Sequence, residues 1–174
     1  PPLPEIAWRM GHEIRMVGGD QRLPRPQAAN VGLDAVRGEW FGFLDDDDSF
    51  DADHVSVLMK TALSTEKLVV YGLTRLVDTD GETKSLAGLP FNRAIMFYGP
   101  ILCFPTALIR RDVLDLGCRF DERFEISEDR DFFSQIAEHS DFEHVRHVSF
   151  NYGVELGTSG TGRGKNRDIA RMVR

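Results

Sequence analysis

The 174 residues suit one domain, and with 41% hydrophobic and 28% charged residues they exclude a disordered, collagen-like or coiled-coil chain. The formal net charge of -7, from 21 Lys+Arg against 28 Asp+Glu, argues against a nucleic-acid partner. No apolar run reaches the roughly 20 residues that span a bilayer, the opening residues do not read as a secretory signal, and Cys103 and Cys118 are too few for a disulfide framework or a four-cysteine zinc site.

In chain order, the proline-rich start predicts loop around one short strand at Glu13 to Val17. Pro26 suits the first turn of a helix, because a proline there forfeits no hydrogen bond; Gly38 is the expected end. The run Trp40-Phe41-Gly42-Phe43-Leu44 predicts a strand buried on both faces, as in a parallel sheet. It ends in Asp45-Asp46-Asp47-Asp48. A helix over Ala52 to Leu63 with Val55, Leu58, Met59 and Ala62 inward follows. Leu68–Tyr71 predicts a second buried strand, and Asp78-Thr79-Asp80-Gly81 a hairpin turn after Leu73–Val77. Residues 86–105 carry no clear period. A strand at Thr106–Arg110, helices at Asp112–Leu116 and Glu128–His139, and a strand at Val145–Tyr152 complete the core. Strands alternating with helices predict an α/β domain over residues 1–156 with a mostly parallel sheet flanked by helices. Residues 157–174 form a glycine-rich, basic tail.

Four adjacent carboxylates repel one another, and the repulsion is relieved by solvent, by raised pKa values or by a cation. Hard divalent ions, Mg2+ or Mn2+, take carboxylate oxygens and bridge them to phosphates. Strand alternation places Asp45 and Asp47 on one face and Asp46 and Asp48 on the other. The competing reading is a solvated acidic loop that precedes a helix. A calcium EF-hand loop fails, because Phe50 and Ser56 stand where glycine and glutamate belong. Asp45 to Ser49 also resembles the nucleophile motif of haloacid-dehalogenase-type phosphatases, with Asp45 as nucleophile.

Glu128-Asp129 opens a helix in which Asp129, Phe132, Phe133 and Ile136 share one face. Asp129 therefore starts the core side. It is either part of an acidic helix start or a general base whose pKa is lifted by partial desolvation.

Four segments together resemble a family 2 glycosyltransferase of the Rossmann-related GT-A fold. Ala29-Asn30-Val31-Gly32-Leu33 with Ala35 and Gly38-Glu39 is similar to that family's "RN-x-G-x-x-x-A-x-G-E" helix. Phe43 to Asp48 is similar to its "F-L-D-x-D-D" (DXD) motif. Leu108 to Leu114, then Gly117 and Phe120-Asp121-Glu122, is similar to "RRDVL…G-x-F-D-E". Glu128 to Asp131 is similar to "E-D-x-D". Four motifs in order outweigh any one of them, and the phosphatase reading explains only the second.

The resemblance implies transfer of a sugar from a nucleotide-diphosphate donor to a saccharide, lipid-linked or other hydroxyl acceptor, with inversion. It implies Asn30, Asp45 and Asp46 on the donor, Asp47 and Asp48 on a divalent metal, and Asp129 as base; for Asn30 a helix-capping or core-satisfying role is the equal alternative. Glu128 is a weaker candidate. Glu155 is another, since it stands near where the family often carries a metal-reaching histidine. The implied setting is cytoplasmic, with peripheral contact at the inner membrane face. Two departures stand out. Ala29 replaces the arginine expected before the helix asparagine, and the family's first βαβ part is expected to be missing. A fragmentary, inactive GT-A module is the alternative.

Overall fold

The computed structural model describes residues 13–19, 22–99 and 101–153. Helix α1 (Arg25–Asp34) starts with a proline in its first turn and buries Pro26 and Leu33. It stops at Asp34, with Ala35 as its cap, short of the expected Gly38. Two short strands, β1 (Trp40–Phe41) and β2 (Ser49–Phe50), bracket the acidic segment. Helix α2 (His54–Ala62) buries His54, Leu58 and Ala62. Val55 is 52% exposed, so His54 rather than Val55 completes the inward face.

Strand β3 (Val69–Val77) is one element where two were expected. Backbones crowd at Gly72, where an added Cβ would lie 3.0 Å from the His147 carbonyl oxygen, and the pairing slips in register there. The predicted turn joins β3 to β4 (Thr83–Ala87). Asp78 Oδ1 accepts from the Asp80 and Glu82 amides, and Gly81 takes the positive φ that the turn requires. The segment without a clear period holds α3 (Arg93–Tyr98), capped by Asn92, and a 3-10 turn at Phe104–Thr106. Strand β5 (Ala107–Arg110), helices α4 (Asp112–Asp115) and α5 (Glu128–His139), and strand β6 (Glu143–Gly153) follow.

The strand order is β1-β5-β3-β6-β2, with β4 also on β3. The α/β architecture is as predicted, but strand direction is not. Among the described residues only β3 and β6 pair in parallel; the other pairs are antiparallel. The continuous apolar run was the misleading signal. Only Trp40 and Phe41 of that run are strand, in the terminal position of the sheet order, and Leu44 is 50% exposed. Residues 13–17 form no strand either; Arg15 Nη2 instead donates to the Ala35 carbonyl at 2.8 Å.

Alternation along the strands divides the core. Val69, Tyr71, Ala107 and Ile109 join Leu33 of α1 and Phe132, Phe133 and Ile136 of α5. Val70 and Leu108 face the other way, onto Leu58 and Ala62 of α2. A chain of phenylalanines runs through the larger cluster. Phe120 stacks on Phe132 at 4.4 Å between ring centroids, and Phe43 and Phe104 lie at 4.6 Å. This packing fixes the ends of β1 and α5, where the carboxylates emerge.

Candidate active site

The acidic segment leaves β1 and turns at once. The Asp48 amide donates to the Asp45 carbonyl at 3.3 Å, so strand alternation ends there. The turn regroups the side chains: oxygens of Asp45, Asp47 and Asp48 lie within 4.8 Å of one another. The expected split of Asp45 and Asp47 from Asp48 is thereby corrected, and Asp46 stands outside the trio. Asp48 Oδ1 accepts from the Gly153 amide at 3.0 Å. Its Oδ2 is buried with no partner among the described residues.

These carboxylates are under electrostatic pressure. Withdrawal from solvent, partly offset by the Gly153 N–H and reinforced by Asp47 and Asp45, pushes the Asp48 pKa up to about 6. Asp45 is also raised, first by desolvation and then by the Asp47 charge, against the opposing charge of Arg25. A converging trio of carboxylates with an unpaired buried oxygen has the donor set that a hard divalent cation takes.

Asp129 lies within electrostatic reach of the acidic segment. Its charge is among those that raise Asp45. The half-buried Cys103 thiol is raised chiefly by burial, with Asp48 and Asp129 both adding to the effect. Asp129 is half-buried at the start of α5, and its Oδ1 accepts from the Arg130 amide at 2.8 Å. Ser127, which precedes the helix, supplies no side-chain cap and has φ 62. Glu128 is buried and paired with Arg25, whose Nη2 lies 2.5 Å from Glu128 Oε1.

Asn30 makes different contacts from those expected of a donor ligand. Its Nδ2 donates to the Phe120 carbonyl at 2.9 Å, and its Oδ1 accepts from the Phe120 amide at 3.0 Å. Nδ2 also reaches Glu122 at 3.2 Å. The asparagine thus clamps the Phe120–Glu122 segment to α1. Glu155 and the basic tail lie outside the described residues. Arg25 and Cys103 were missed from the sequence. Arg25 had a usable signal, for it lies one helical turn ahead of Ala29, the position where the arginine is absent.

The family model described as Glycosyl transferase family 2 matches residues 3–117. The chain belongs to glycosyltransferase family 2. Asp129 lies beyond the matched segment. No curated protein matches the chain at a significant level. Among solved structures it is similar to S. aureus TarS 1–349, with a TM-score of 0.54 and 17% identity over 75% of this chain and 40% of that one. For TarS in complex with UDP-GlcNAc the TM-score is 0.57 and the identity 15%, over 83% of this chain and 44% of that one. For its complex with UDP the values are 0.56 and 15%, over 74% and 39%. This family 2 chain spans less than half the length of the TarS structures, and at such identities the likeness carries the GT-A fold alone. No helix among the described residues is long and apolar enough to cross a membrane.

Proposed function

We propose that this family 2 chain transfers a sugar from a nucleotide-diphosphate donor to an acceptor hydroxyl, with inversion at the anomeric carbon. What supports the reading is the convergence of Asp45, Asp47 and Asp48, with Asp129, more than 80 residues further along the chain, within electrostatic reach of Asp45. In this reading Asp45 and Asp46 face the donor ribose and diphosphate. Asp47 and Asp48 would hold Mg2+ or Mn2+, with the unpartnered Oδ2 of Asp48 as a ready ligand atom. A cation held there would supply charge neutralisation for the departing diphosphate.

Asp129 accepts the acceptor hydroxyl proton as that oxygen attacks the anomeric carbon. Attack opposite the departing diphosphate inverts the configuration. Asn30 supports the site indirectly, by clamping the Phe120–Glu122 segment. A UDP-sugar is the first donor to test, because TarS has been captured with UDP and UDP-GlcNAc. The reaction is placed in the cytoplasm, with a saccharide or a lipid-linked hydroxyl at the membrane face as acceptor.

Calorimetry of UDP with Mn2+, followed by donor turnover in wild type and Asp129→Asn, tests the proposal. The expected result is UDP binding in both proteins and turnover lost in Asp129→Asn. Equal turnover in the two removes Asp129 from the mechanism. The absence of heat with any nucleotide diphosphate favours an inactive module.

A further inference from the structure

We propose that Arg25 is a positioning residue that ties α1 to the first turn of α5 and so sets Asp129 against the acidic cluster. The inference rests on the transferase reading. It starts from the junction before α5. Ser127 is the one non-glycine residue with positive φ among the described residues, and its side chain does not cap the helix. A left-handed serine is a strained entry, so the helix start needs a hold from elsewhere.

Among the described residues, Arg25 provides the only side-chain tether from another element to residues 128–131. Glu128 is 7% exposed, and its Oε2 has no partner there. A single guanidinium therefore neutralises a buried carboxylate immediately beside the base. Losing it leaves an uncompensated buried charge at that spot. Arg25 has the position for the task, since it is the first residue of α1 and one turn from Ala29 on the same face. Its charge is also felt at Asp45. A guanidinium suits a fixed pairing better than the mobile point charge of lysine.

The test uses the full chain with UDP-GlcNAc and Mn2+, following UDP release, in wild type and in Arg25→Met, Glu128→Gln, Arg25→Lys and the exchanged double variant Arg25→Glu/Glu128→Arg. Thermal unfolding, UDP–Mn2+ calorimetry and amide hydrogen exchange accompany each. Arg25→Met and Glu128→Gln are expected to lower kcat on the order of 100-fold, the cost of a misplaced reacting group. Donor KM and UDP affinity should stay at the wild-type values. Arg25→Lys should retain part of kcat, and the exchanged pair should recover more than either single change.

Exchange at residues 128–131 should speed up in Arg25→Met while the sheet is unaffected. Unchanged kcat in Arg25→Met overturns the tether. So does a loss confined to KM, or an exchanged pair that folds yet stays as slow as the single variants. If wild type releases no nucleotide from UDP-, GDP- or dTDP-sugars, the transferase reading itself falls. Amide exchange then decides the tether separately, and unaltered exchange at residues 128–131 overturns it.

Discussion

Replacing Asn30 by leucine separates a structural clamp from a donor contact. Leucine keeps the shape and volume of the side chain and removes every hydrogen bond that Asn30 makes. The Phe120 amide and carbonyl lose their partners, and Phe120 is only 3% exposed. A buried polar group left unsatisfied costs about 1–3 kcal/mol. The bond to Glu122 is exposed and adds little. Two orphaned groups with some relaxation then give a loss of about 2–4 kcal/mol. For a domain of this size that lowers Tm by roughly 10 °C, at a few degrees for each kcal/mol. Circular dichroism melts and urea titrations measure it. Calorimetry with UDP and Mn2+ at a temperature where the variant is folded measures the other half. The clamp predicts a large fall in Tm with UDP affinity largely kept. An unchanged Tm with UDP binding abolished would refute the reasoning and return Asn30 to the donor.

Two further predictions come from the burial pattern and the carboxylates. Phe132→Ala empties a fully buried site stacked on Phe120, and should cost about 3–5 kcal/mol in chemical denaturation; a loss below about 1 kcal/mol would mean that the aromatic chain is not packed as described. The pH dependence has a definite sign. Asp48 binds its proton more tightly in the folded protein than at its ordinary value of 3.8, so the metal-free fold loses stability as pH rises from about 4 through about 6. Added Mn2+ competes with that proton, so its binding should strengthen across the same interval and offset the loss. Melts at pH 4, 5, 6 and 7 with and without Mn2+ check this, and Asp48→Asn should flatten both trends.

Much of the fold was legible because local rules acted alone. Helix α5 has the predicted bounds, since its apolar residues repeat at helical spacing and nothing nearby competes. The turn at Asp78–Gly81 was readable from its Asx and glycine chemistry. Strand direction was not readable, because a buried run such as Trp40–Leu44 looks alike in parallel and antiparallel neighbourhoods. The Glu13–Val17 segment had strand propensity but finds no partner strand among the described residues. For the site, residue types were legible and their grouping was not. The turn that brings Asp48 to Asp45 is a single backbone hydrogen bond. The pairing of Arg25 with Glu128 joins positions with no sequence relation to each other.

The bond from the Gly153 amide to Asp48 spans 105 residues and ties the last described strand to the acidic turn. Contacts of such separation carry a large loop-closure entropy and form late. During synthesis, the aspartates therefore emerge long before the strand that orders Asp48. A nascent chain that ends before β6 carries the charges of the cluster without its geometry. Ordering of the acidic turn is thus coupled to the docking of β6, and a folding chain groups these aspartates as described only once that strand is in place.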